Sequence, residues 1–125
     1  MKLNFWMIAK ALVEAFFGIG FVLAPGLVGA MFGLRLDAGA AVIARLCGAV
    51  FISSSIVLLL ARNESPHNPI LRALVIGAAV SNGIGFIATL MASISGVWNA
   101  LGWMPVALNL AFTLAFGYFL FKQPA

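Results

Sequence analysis

Apolar residues run along this chain in four stretches, at about positions 4–24, 38–61, 70–93 and 103–121, separated by short polar breaks. Each run is near the ~20 residues that a helix needs to cross about 30 Å of hydrocarbon. The pattern predicts an all-α integral membrane protein: a four-helix antiparallel bundle that takes up 1–125 as one domain.

The breaks carry their own signals. Pro25-Gly26 ends the first run, and Leu27, Val28, Met31 and Phe32 then share one face of a short segment. This predicts a brief interfacial helix between the first two spans. Asp37 precedes the second run, where a carboxylate suits the helix as an N-cap and meets its positive end. The stretch from Arg62 to Pro69 is polar and holds two prolines, so it leaves the bilayer.

Small residues recur every four positions at Gly77, Ser81, Gly85, Thr89 and Ser93, and again at Ala40, Ala44 and Gly48. Such ridges let neighbouring backbones approach, within the bundle or across a homo-oligomer interface. The tetrapeptide GIGF occurs at Gly18–Phe21 and at Gly83–Phe86, which hints at a repeated helical hairpin. Its glycines are no phosphate loop, because that reading needs a strand, a turn and a helix start.

Charged residues make up 8% of the chain, against about 25% in a soluble domain, which strengthens the membrane reading. The first twenty residues have the outline of a signal peptide, but Lys10 and Glu14 interrupt its apolar core. The net charge of +4 is not a nucleic-acid stripe, since its residues flank the spans. Lys2, Lys10, Arg62, Arg72 and Lys122 fall on the side of the N-terminus and Arg35 on the other, which predicts both termini in the cytoplasm. Trp6 is expected at the inner interface and Trp98 and Trp103 at the outer one. Cys47 reads as a small buried apolar residue.

Helical rise sets the depth of each polar residue within the spans. Counted from the cytoplasmic side, Glu14 and Thr113 fall at about 15 Å, Asn82 at about 18 Å, Arg45 at about 19 Å and Asn109 at about 20 Å. Each of the four helices thus adds to one polar layer. Glu14 and Arg45 are expected to pair, because a lone charge in lipid costs at least a few kcal/mol. Lys10, with Ser53, Ser54 and Ser55, falls nearer the edge, where a lysine snorkels out to the interface. The central layer fits either a structural network that fixes helix register or the lining of a site for a polar headgroup, a small metabolite or a proton.

Several chemistries lack their residues. The one histidine, His67, lies in a loop, and neither a zinc cluster nor a hydrolytic triad can be assembled at one depth. This predicts a non-enzymatic protein with no metal or other cofactor and no nucleic-acid partner. Its partners are expected to be the bilayer, a lipid-like or small amphipathic ligand, and a homo-oligomer or larger membrane complex.

The segments IARLCGAVFISSSIVLLLAR (Ile43–Arg62) and NALGWMPVALNLAFTLAFGYFLF (Asn99–Phe121) resemble small bacterial four-helix membrane proteins of the DoxX-like kind. The resemblance implies a bacterial inner-membrane bundle and brings no catalytic residues with it. The place of Glu14 in the first span is also similar to that of the membrane glutamate in small multidrug-resistance transporters, which exchange protons for drug cations. That similarity implies an alternative function, a proton-coupled exporter that works as a homodimer with Glu14 as carrier. The charge bias, Arg45 and the lack of a tryptophan-bearing third span all depart from the transporter pattern.

Overall fold

The computed structural model describes residues 2–122 and is all-helical. Its elements are α1 (Leu3–Leu23), α2 (Pro25–Met31), α3 (Ala38–Ala61), α4 (Pro69–Ile94), a one-turn 3-10 helix (Ala100–Gly102) and α5 (Trp103–Lys122). Four of the helical segments are long and apolar enough to span a membrane. Their large apolar side chains lie mostly on the outside, among them Leu12, Phe16, Leu46, Ile84 and Leu114. Outward apolar faces on all the long helices are what lipid, not water, permits.

The starts and stops have local causes. Asp37 caps α3 by accepting from the Ala40 N–H at 2.8 Å, as its position predicts. Asn68 does the same for α4 with the Ile70 N–H, and Pro69 occupies the first helical turn, where its missing N–H leaves no bond unmade. α2 begins on Pro25, and the face expected to lie in the interface divides in two. Val28 and Phe32 turn inward, whereas Leu27 and Met31 remain exposed.

The helices associate as two antiparallel pairs, α1 with α3 and α4 with α5, joined mainly where α1 meets α5. In the first pair the backbones touch at Gly18 and Gly48. A Cβ on Gly18 would lie 2.9 Å from the Gly48 carbonyl oxygen, and one on Gly48 would lie 2.7 Å from that of Gly18. In the second pair the side chain of Asn109 takes the space a Cβ on Gly85 would fill, its Oδ1 only 2.6 Å from that point. Each GIGF tetrapeptide supplies a contact glycine to its own pair, Gly18 as its first residue and Gly85 as its third, so the two contacts are not equivalent. α3 and α4, although consecutive, barely touch.

The packed core fills only the half of the bundle that holds the termini. Met7 and Ala11 of α1 and Leu58 of α3 meet Leu71, Val75 and Ala78 of α4 and Phe112, Phe116 and Phe119 of α5. Ser55 ties the first pair together there, donating from Oγ to the Ala11 carbonyl at 2.7 Å. In the other half the pairs diverge around a cavity, and α2 closes over its end. Phe32 packs edge-on against Trp98 at 5.2 Å between ring centroids. Asn99 reinforces this cap: its amide nitrogen donates to the Met31 carbonyl and its backbone N–H to that of Phe32, both at 3.0 Å.

The tryptophans lie at the ends of the bundle, Trp6 near the start of α1, Trp98 between α4 and α5, and Trp103 at the start of α5. Trp103 is exposed, but Trp98 turns in to cap the cavity and Trp6 packs against Phe112. Cys47, expected to be buried, is exposed on the outer face of α3.

Candidate functional site: a cavity with a charged floor

Glu14 is paired with Lys10, not with Arg45. The Lys10 ammonium lies 2.5 Å from Glu14 Oε1 across one turn of α1, and the two residues are 6% and 8% exposed. Phe112 of α5 offers its ring to the same ammonium, 5.8 Å from Nζ to the centroid.

The register of α1 on α3 explains the correction. Ala11 faces Ser55, Gly18 faces Gly48, and Val22 faces Arg45, so Glu14 lies opposite Ile52. Arg45 is therefore about two turns, roughly 10 Å, beyond reach of the carboxylate. It is exposed, and its Nε donates to the Val22 carbonyl at 3.3 Å near the end of α1. Lys10, expected to snorkel to the bilayer edge, turns inward instead, because the carboxylate one turn away is the nearest opposite charge.

The ion pair lies where the packed core gives way to the cavity, which has a volume of about 560 Å³. That is within the range, about 300–1,000 Å³, of sites that enclose drug-sized molecules. Aromatic rings line the wall beyond the floor together with aliphatic side chains: Phe17 and Phe21 of α1, Phe51 of α3, and the Phe32–Trp98 cap. Polar groups enter from the other helices as Ser54 of α3, Asn82 and Thr89 of α4 and Asn109 of α5.

The predicted layer is thus partly assembled. Glu14, Asn82 and Asn109 line one cavity, as their common depth implies. Arg45 and Thr113 do not belong to it. Thr113 donates from Oγ1 to the Asn109 carbonyl at 2.7 Å, within its own helix. Lys10, Ser54 and Thr89 do belong, although sequence reasoning assigned them to a wetter edge layer or to helix packing. The aromatic wall went unforeseen, because phenylalanines in a lipid-facing helix and in a cavity wall look alike in sequence.

The hydrogen bonds give this wall a polarity. The Asn82 amide nitrogen donates to the Ala78 carbonyl at 2.7 Å and the Asn109 amide nitrogen to the Pro105 carbonyl at 2.9 Å. A carbonyl partner accepts only from nitrogen, so both amide groups are oriented by it. Thr89 likewise donates to Gly85 at 2.7 Å. The buried Oε2 of Glu14 accepts from no group among the described residues. The same residues contain no cluster of side chains suited to a metal ion.

No family model, curated protein or solved structure matches the chain.

Proposed function

We propose that the protein is a non-enzymatic membrane binding protein or accessory subunit whose cavity holds an amphipathic ligand. The observation that carries the reading is a cavity of about 560 Å³ whose wall combines aromatic and aliphatic side chains with Ser54, Asn82, Thr89 and Asn109, above a buried Lys10–Glu14 pair. The apolar side chains favour an apolar body, and the amides and hydroxyls give a polar head its partners. The exporter alternative has less support, because Lys10 already neutralises the carboxylate that would carry the proton.

Quenching of Trp98 tests the reading, since this indole lies on the cavity wall. In a Trp6→Phe/Trp103→Phe protein reconstituted in nanodiscs, a brominated single-chain amphiphile should quench Trp98 saturably. Ser54→Phe, which fills the cavity, should abolish the saturable part. Quenching that only rises in proportion to the bulk amphiphile would mean ordinary lipid contact and no site.

The location proposed is a bacterial inner membrane with both termini cytoplasmic. Lys2, Arg62, Arg72 and Lys122 at the terminal end support that orientation against Arg35 and Arg45 at the other. Cysteines at Ser65 and Ser95, in a Cys47→Ser background, should label from opposite sides of the membrane. Labelling of both from one side would refute the topology.

A further inference from the structure

We infer that the ligand is an uncharged, single-chain amphiphile whose head carries hydroxyl or amide donors, and that it enters from the lipid through the gap between α3 and α4. This rests on the binding reading above and narrows it to a head chemistry and a route.

The head follows from what the wall has left to offer. Asn82 and Asn109 each have one amide N–H engaged with a carbonyl of their own helix, and Thr89 has its hydroxyl hydrogen engaged in the same way. Each amide keeps a second N–H and its carbonyl oxygen, and Thr89 keeps its hydroxyl oxygen as an acceptor. A head with O–H or N–H groups supplies donors to these oxygens while its own oxygen accepts from the amides.

Charge selects among such heads. The floor is neutral as a whole, because the Lys10 ammonium and the Glu14 carboxylate compensate each other. An ammonium head brought to Glu14 would meet Lys10, and a carboxylate or phosphate brought to Lys10 would meet Glu14. Either adds a like charge to a low-dielectric site. A neutral donor faces neither penalty.

The route follows from helix pairing. α3 and α4 barely touch, yet residues of both line the cavity. Val50 on α3 is 66% exposed and Ser81 on α4 is exposed too, although both belong to the cavity wall, so this gap is its mouth. At the opposite end α2, Phe32 and Trp98 close the cavity. An acyl chain can lie across the gap in hydrocarbon while its head reaches Asn82 and Asn109.

The test is a competition series on the full chain in nanodiscs, with a photoreactive diazirine analogue of monooleoylglycerol as the probe. Labelling should fall at Val50, Ser81 and the cavity aromatics. Unlabelled monooleoylglycerol should compete, and its di-O-methyl ether, which lacks the O–H donors, should compete about tenfold less well, about the worth of one hydrogen bond. Oleate and oleylamine, which bring a charge, should also compete about tenfold less well. Asn82→Leu, which removes an acceptor from the wall, should erase the preference for the alcohol over its ether. Equal competition by the ether or by a charged head would overturn the head assignment, and labelling confined to α2 and Trp98 would overturn the route, each leaving the binding reading intact. Absence of competable labelling by any of the four would overturn both.

Discussion

Lys10 and Glu14 stand one turn apart on α1 and neutralise each other inside the bundle, Nζ to Oε1 at 2.5 Å, with the Phe112 ring beside the ammonium. Neither charge has a second oppositely charged partner among the described residues. Lys10→Met should therefore leave an uncompensated carboxylate and destabilise the bundle by about 3–5 kcal/mol. Lys10→Met/Glu14→Leu should cost much less. Thermal unfolding in detergent compares them, and a double variant no more stable than Lys10→Met would contradict this account of the pair.

Arg45 supplies the contrast. It is exposed and bonded only to the Val22 carbonyl, so Arg45→Gln should change stability by less than about 1 kcal/mol. A loss as large as that of Lys10→Met would revive the Glu14–Arg45 pairing.

The α1–α3 crossing has no room for a side chain at Gly48, where a Cβ would meet the Gly18 carbonyl and the side chains of Phe21 and Val22. Gly48→Ala should destabilise by about 1–3 kcal/mol through overpacking. Gly77, also within a helix, has nothing within 4 Å of its Cβ position. Gly77→Ala should be neutral or stabilising by up to about 1 kcal/mol. Equal melting shifts for the two would show that the crossing is looser than described.

The far end depends on Asn99, which bonds α2 through the Met31 carbonyl and also caps the 3-10 helix by accepting from the Leu101 N–H. Asn99→Ala should cost about 0.5–2 kcal/mol and loosen the lid over the cavity. Hydrogen exchange should then quicken at Phe32 and Gly102 while the terminal half, around Val75 and Phe116, is unchanged. Uniform quickening along the chain would mean that the two halves are not separable.

Span number, the helix after Pro25 and the Asp37 cap were legible because each rests on local chemistry: run length, the missing N–H of proline, a carboxylate before a helix start. The shared depth of Glu14, Asn82 and Asn109 was legible for the same reason, since rise per residue is nearly constant. The partner of Glu14 was not. Depth counted from approximate span ends put Glu14 and Arg45 about 4 Å apart, whereas the register that the Gly18–Gly48 contact sets separates them by about two turns. Lys10 is expected at the bilayer edge, yet a charge within reach, one turn away on the same helix, outweighs snorkelling where the alternative for Glu14 is to stand alone in a low dielectric. The cavity itself was invisible, because it arises from how two helix pairs diverge and no residue type announces that.

The most direct measurement is an experimental density map of the full chain in nanodiscs prepared with monooleoylglycerol. The expected result is elongated density from beside Asn82 and Asn109, past Phe17 and Phe51, and out between α3 and α4, with Lys10 still on the Glu14 carboxylate. A cavity collapsed by inward-turned phenylalanines, with α3 packed along α4 and no density beside Asn82, would contradict the account.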